Sequence, residues 1–190
     1  MSISRCPWGT HDVMQAYHDT EWGTPVHDER KLFEFLVLDM FQAGLSWAII
    51  LKKREAFRRA FDDFELEKIV AYDDERVAAL MADAGIVRNR RKIQGVIQNA
   101  GLVRQLHAEG GTLDALMWSF TGGKTLHNAW QEEREIPAVT PAAEAMSREL
   151  RRRGFTFVGP TICYAVMQSI GMVNDHIVSC FRYRELGGPA

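Results

Sequence analysis

Cysteine is scarce in this chain: three occur among 190 residues, at Cys6, Cys163 and Cys180. An odd number cannot pair completely within one chain, so a disulfide-stapled secreted scaffold is excluded and the expected roles are metal binding or plain burial. No stretch of eighteen apolar residues occurs, so no segment reads as a membrane-spanning helix, and the opening MSISRCPWGTHD holds no apolar run long enough for a signal-peptide core. A cytoplasmic protein with no membrane partner is expected. Charge of neither sign dominates: 23 Lys and Arg stand against 25 Asp and Glu, for a net charge of -2. That balance excludes a uniformly cationic nucleic-acid binder, and any contact with nucleic acid has to come from a local basic patch. Internal repeats, low-complexity tracts and long Gly/Ser/Pro-rich linkers are also missing, as are segments that alternate over a strand's length with hairpin turns between them.

What remains is an ordinary globular composition, 46% hydrophobic and 25% charged, long enough to bury a sizeable core. The expected class is all-α, one domain over residues 1–190, with about eight to ten helices around a single core and room for a division into two helical lobes. Asp28 is placed to cap a helix through Leu32, Phe33, Phe35, Leu36 and Leu38 to about Phe41, with Gly44 just beyond its end. Ser46 is placed to cap the next, which carries Trp47, Ile49, Ile50, Leu51 and Phe57. Asp73 or Asp74 opens another helical pattern, closed by Gly85. A long helix follows from about Arg88, with Ile93, Val96, Ile97, Ala100, Val103 and Leu106 at helical spacing. A shorter helix covers Leu113 to Phe120. Pro141 suits the first turn of a helix ending at Arg151-Arg152-Arg153, and Gly154 stops it. A buried helix from Pro160 toward Gly171 comes next, with Cys163 on its apolar face, and one more helix is expected after Asn174.

His176 and Cys180 lie four apart in that last segment, so a helix there would project both from one face. Cys6 and His18 supply the same two ligand types near the other terminus. Together the four would make a Cys2His2 set suited to tetrahedral zinc, with every position filled by protein and the ion therefore structural. The alternative is two histidines and two small hydrophobic thiols with no metal.

Between the helix ending at Arg153 and the helix beginning near Thr161 runs the short segment Gly154-Phe155-Thr156-Phe157-Val158-Gly159-Pro160. A basic helix, a tight turn and a helix N-terminus can hold a DNA phosphate through free backbone N-H groups, without net positive charge on the chain. The alternative is an ordinary connection in which Gly159 is a conformational necessity.

These segments, together with Cys6-Pro7-Trp8-Gly9, Ala16-Tyr17-His18-Asp19, Glu21-Trp22-Gly23, Gln42-Ala43-Gly44-Leu45-Ser46-Trp47, Trp118-Ser119-Phe120, Phe157-Val158-Gly159, Thr161-Ile162-Cys163-Tyr164 and Val173-Asn174-Asp175-His176, resemble the DNA 3-methyladenine glycosylase I family in order and over nearly the whole chain. The resemblance implies a helix-hairpin-helix DNA glycosylase fold and a structural zinc held by Cys6, His18, His176 and Cys180, which joins the N- and C-terminal segments. It also implies a monofunctional enzyme that hydrolyses the N-glycosidic bond of 3-methyladenine in double-stranded alkylated DNA. Tyr17 and Trp47 fall on the family's pocket residues, where aromatic faces stack on a flipped cationic purine, with Trp8 and Trp22 as supporting packing. Leu45 falls on the wedge that fills the emptied stack, and Gly159 and Thr161 on the DNA-gripping hairpin. Asn174 stands where the wider superfamily usually carries an aspartate, which fits a reaction whose leaving group is already cationic. One departure concerns the pocket. The family's better-known members carry a glutamate where this chain has Asp39, shorter in reach by about 1.5 Å. Asp39 is the expected base-recognition and catalytic-site carboxylate, and its shortening leaves a different alkylated base, or a zinc-stabilised damage binder without cleavage, as the competing readings. A hydrolase of free nucleosides is a third. A monomer is expected, since no coiled-coil heptads occur.

Overall fold

The computed structural model describes residues 3–189, and within them the chain folds into ten α-helices. In chain order these are α1 (Asp12–Thr20), α2 (Glu29–Gln42), α3 (Trp47–Ala60), α4 (Leu66–Ile69), α5 (Asp74–Ala82), α6 (Arg90–Ala108), α7 (Leu113–Trp118), α8 (Pro141–Arg152), α9 (Pro160–Ser169) and α10 (Phe181–Glu185). Short polar side chains start several of them by accepting an otherwise unpaired first-turn N-H: Asp28 from Lys31, Asp73 from Arg76, Asn89 from Lys92, Thr112 from Ala115 and Thr140 from Ala143. Ser46 occupies the N-cap position of α3, but its side chain makes no cap bond.

α2 is the axis of the molecule. Every residue from Leu32 to Phe41 is buried, including Glu34 and Asp39, so the helix has no solvent face over that span. A helix apolar nearly all round belongs inside other helices, and α3, α6, α7 and α9 pack around it. Gly44, at φ +86°, reverses the chain between α2 and α3 in a conformation that few other residues adopt without strain. Lys92 of α6 braces this turn by donating to the carbonyls of Phe41 and Ala43 at the exposed C-terminal end of α2.

The mostly helical class agrees with expectation, with Leu126–His127 (β1) and Val173–Asn174 (β2) adding a two-residue parallel ladder. One expectation is corrected. The helix expected after Asn174 begins only at Phe181, so His176 and Cys180 lie on a loop rather than a helical face. The cause is local. Asn174 and Asp175 are completely buried, and their side chains bond to Tyr183 O and to four donors elsewhere, which holds the backbone extended before it can coil.

Candidate active site and metal centre

Neighbouring residues of α1 serve two different places. Tyr17 points into a cavity of 410 Å³ between α1, α2, the start of α3 and α9, while His18 points away toward the C-terminal loop. The cavity wall is aromatic: Trp47 meets Tyr17 with ring centroids 5.5 Å apart, and Trp8 packs edge-on against Trp22 at 4.8 Å. Tyr164, Gln168 and the segment through Ile136, Pro137 and Ala138 close it.

Three buried polar atoms in this cavity have no hydrogen-bond partner: Tyr17 Oη, Asp39 Oδ2 and Trp47 Nε1. Unpaired buried polar groups are rare because each forfeits its hydration for nothing, so three facing one space mark a site built for a ligand with matching donors and acceptors. Asp39 is 2% exposed, and burial raises its carboxyl well above the ordinary carboxylate range, with a hydrogen bond from Ser169 partly offsetting the effect. Burial also pushes the Tyr17 hydroxyl up, and the nearby Asp39 adds to it. Among the described residues no cation pairs with Asp39, so a cationic ligand entering this cavity would favour its ionised form.

Of the remaining expected residues, Thr161 is exposed at the first turn of α9 and lines the same cavity. Leu45 is half-buried in the turn after Gly44, where its N-H and C=O both bond to Gln42, itself a cavity residue. Gly159 caps α9 outside the cavity. Its φ of -63° is open to any residue, so the glycine is not there for backbone freedom. Gln42, Tyr164, Gln168 and Ser169 were not anticipated. A signal existed for one wall: Thr161, Ala165 and Ser169 recur every four residues, a small-residue stripe on an otherwise apolar helix, which leaves room for a cavity.

Asp175 holds the far wall. Its carboxylate accepts from Asn128, Trp130, Tyr164 and Gln168 at 2.6–2.9 Å, tying the segment that covers the cavity to α9.

The second cluster gathers Cys6, His18, His176 and Cys180, all buried, with ligand atoms within 4.8 Å of one another. The sulfur-nitrogen separations are 3.6 Å for Cys6 to His176, 3.4 Å for Cys180 to His18 and 3.5 Å for Cys180 to His176. A tetrahedral zinc with Zn–S about 2.3 Å and Zn–N about 2.0–2.1 Å has S···N edges of about 3.5 Å, so the residues fit that ion. Outer partners are also in place. His18 Nδ1 meets Asp19 at 2.8 Å and His176 Nε2 meets the Trp22 carbonyl at 3.0 Å, which turns the other ring nitrogen of each toward the sulfurs. Gly9 is obligatory here, because a Cβ on it would lie 2.5 Å from the His18 ring.

Residues 8–183 match the methyladenine glycosylase family. The chain belongs to that family. DNA-3-methyladenine glycosylase 1 of Escherichia coli (strain K12) is 45% identical over 182 residues, covering 95% of this chain and 97% of the relative. A crystal structure of a 3-methyladenine DNA glycosylase I superposes with a TM-score of 0.93 at 43% identity, covering 98% of this chain and 100% of that one. Another methyladenine glycosylase, a tyrosine-to-phenylalanine variant in complex with 3-methyladenine, superposes with a TM-score of 0.89 at 32% identity over 93% of this chain and 96% of its own.

Proposed function

We propose that this protein is a monofunctional glycosylase that removes 3-methyladenine from alkylated double-stranded DNA. The observation that carries the reading is the aromatic cavity with three unpartnered polar atoms, in a chain whose relatives bear that activity in their names. Its 410 Å³ falls in the usual range for a small-ligand pocket. The substrate base is cationic before the bond breaks. Trp47 and Tyr17 stack against it, and the Asp39 carboxylate supplies the opposing charge and accepts a hydrogen bond from its edge. The electron pair of the N-glycosidic bond passes to the base, which leaves neutral, while water bonds to the sugar carbon and releases a proton. A cationic leaving group needs no strong general base, so no residue has to activate that water. The competing damage-binder reading is disfavoured because relatives 45% and 40% identical over nearly the whole chain are named as glycosylases.

The duplex is held at the turn from α8 to α9, where Gly159 and Thr161 offer first-turn groups to a phosphate, and Leu45 enters the stack vacated by the flipped base. One structural zinc, bound by Cys6, His18, His176 and Cys180, joins the two ends of the chain and fixes α1, from which Tyr17 projects. The test is release of free 3-methyladenine from methylated duplex DNA at fixed salt, run beside the corresponding free nucleoside. Release from duplex alone supports the reading, while equal turnover of the nucleoside would make the protein a nucleoside hydrolase.

A further inference from the structure

A second cavity, of 460 Å³, lies between α6 and the turn that joins α8 to α9, and shares no lining residue with the base cavity. Arg91, Gln94 and Gln98 of α6 form one wall, and Arg151 and Phe157 stand on the other. We infer that this cleft binds a backbone phosphate of the DNA strand between the guanidinium groups of Arg91 and Arg151. The inference rests on the DNA-glycosylase reading and adds to it two arginine side chains that flank a cleft separate from the base pocket.

Three observations support it. First, the run Arg151-Arg152-Arg153 is divided. Arg152 and Arg153 each reach Glu149 at 2.7 Å, and together they pull that carboxyl down to about 2. Arg151 has no carboxylate partner among the described residues, nor has Arg91, and both are exposed. Second, Arg151 Nη2 lies 3.4 Å from where a Cβ on Gly159 would stand, so its charge sits at the end of α9 that already favours an anion. Third, α6 opens with Arg88-Asn89-Arg90-Arg91-Lys92 and no acidic residue in its first turn. Cations at the positive end of a helix work against its stability, and an anion arriving between them relieves the conflict.

The cleft is also rigid before anything binds. Asn99 of α6 bonds both N-H and C=O of Thr156, Gln98 donates to the Gly154 carbonyl, and Phe157 presses on Gly95 so closely that a Cβ there would lie 2.9 Å from its ring. Lys92, next to Arg91, braces the turn that carries Leu45. A phosphate held by Arg91 is thus registered against the wedge turn on one side and the α8–α9 turn on the other.

The test is equilibrium binding to undamaged duplex DNA across a salt series, with the native protein, Arg91→Ala, Arg151→Ala, the double variant and Arg152→Ala. Arg91→Ala and Arg151→Ala should each weaken binding several-fold. Because the two share one phosphate, the slope of log affinity against log salt should shrink by about 0.9 in the double variant and not by twice that. Arg152→Ala, whose side chain is turned to Glu149 and does not line the cleft, should weaken binding much less than Arg151→Ala does. Equal effects of Arg151→Ala and Arg152→Ala, or an unchanged slope in the double variant, would overturn the inference. Inorganic phosphate titrated at constant ionic strength should displace duplex no better than chloride; displacement from the native protein that is lost in the double variant would make this a free-anion site instead. Since undamaged DNA is the ligand, a protein that shows the slope change yet releases no 3-methyladenine would sink the glycosylase reading and leave the cleft standing.

Discussion

Asp39 is a buried carboxylate with one unpartnered oxygen and no compensating cation among the described residues, so its charge destabilises the fold that carries it. The unfolded chain ionises Asp39 in the ordinary carboxylate range, whereas the folded chain holds the proton to higher pH. Stability from this group is therefore complete at low pH and lost as pH rises through the folded value. Asp39→Asn should raise the Tm at neutral pH by a few degrees, with the gain fading as the pH drops into the ordinary carboxylate range; calorimetry across pH checks it, and a lower Tm at neutral pH would contradict it. Binding of a cationic purine should strengthen with rising pH as Asp39 ionises, and this dependence should vanish in Asp39→Asn. Asp39, Tyr17 and Trp47 stand out in the chain because they fall on recognisable motifs, and all three line one cavity. The open valences of all three were not, because an unpaired atom is a property of what surrounds it.

At the scale of elements, capped and periodic helices were the easiest to read. α2, α5, α6, α8 and α9 announce themselves through Asp28, Asp73, a long 3.6-residue apolar period and prolines in first turns. α1 does not, because its inward face is Tyr17 and His18, which serve two sites instead of a common apolar core. The loop carrying His176 and Cys180 misleads for a related reason: a separation of four is as compatible with one loop turn as with a helix, and only the buried Asn174 and Asp175 decide between them. Asp175→Ala would leave four donors without an acceptor and should cost about 3 kcal/mol or more, measured by denaturant unfolding; a loss within about 0.5 kcal/mol would mean that Asp175 does not organise the cavity wall. Lys92→Met should keep the fold but loosen the Gly44-Leu45 turn, lowering the rate of base release more than affinity for free 3-methyladenine. Equal losses in both would place Lys92 in the pocket instead.

At the scale of the whole molecule, the four Cys and His residues close the chain on itself, since Cys6 and Cys180 bracket nearly its full length. The purified protein should contain one zinc by elemental analysis, and stripping it with a chelator should lower Tm and base release together, because α1 carries both His18 and Tyr17. Gly9→Ala, which crowds the His18 ring, should do the same at a cost of about 1–3 kcal/mol. Metal-free protein with native Tm and full activity would contradict the closure. Under the proposed function, this cavity reads and releases an alkylated base through Asp39. The most direct test is single-turnover release of 3-methyladenine from methylated duplex DNA by the native protein, Asp39→Asn and Asp39→Glu at fixed salt. The native protein should release the base, and release should fall tenfold or more in Asp39→Asn, about 1.4 kcal/mol of transition-state stabilisation. Native release that is unchanged in Asp39→Asn, or no release by the native protein with recovery in Asp39→Glu, would contradict this reading.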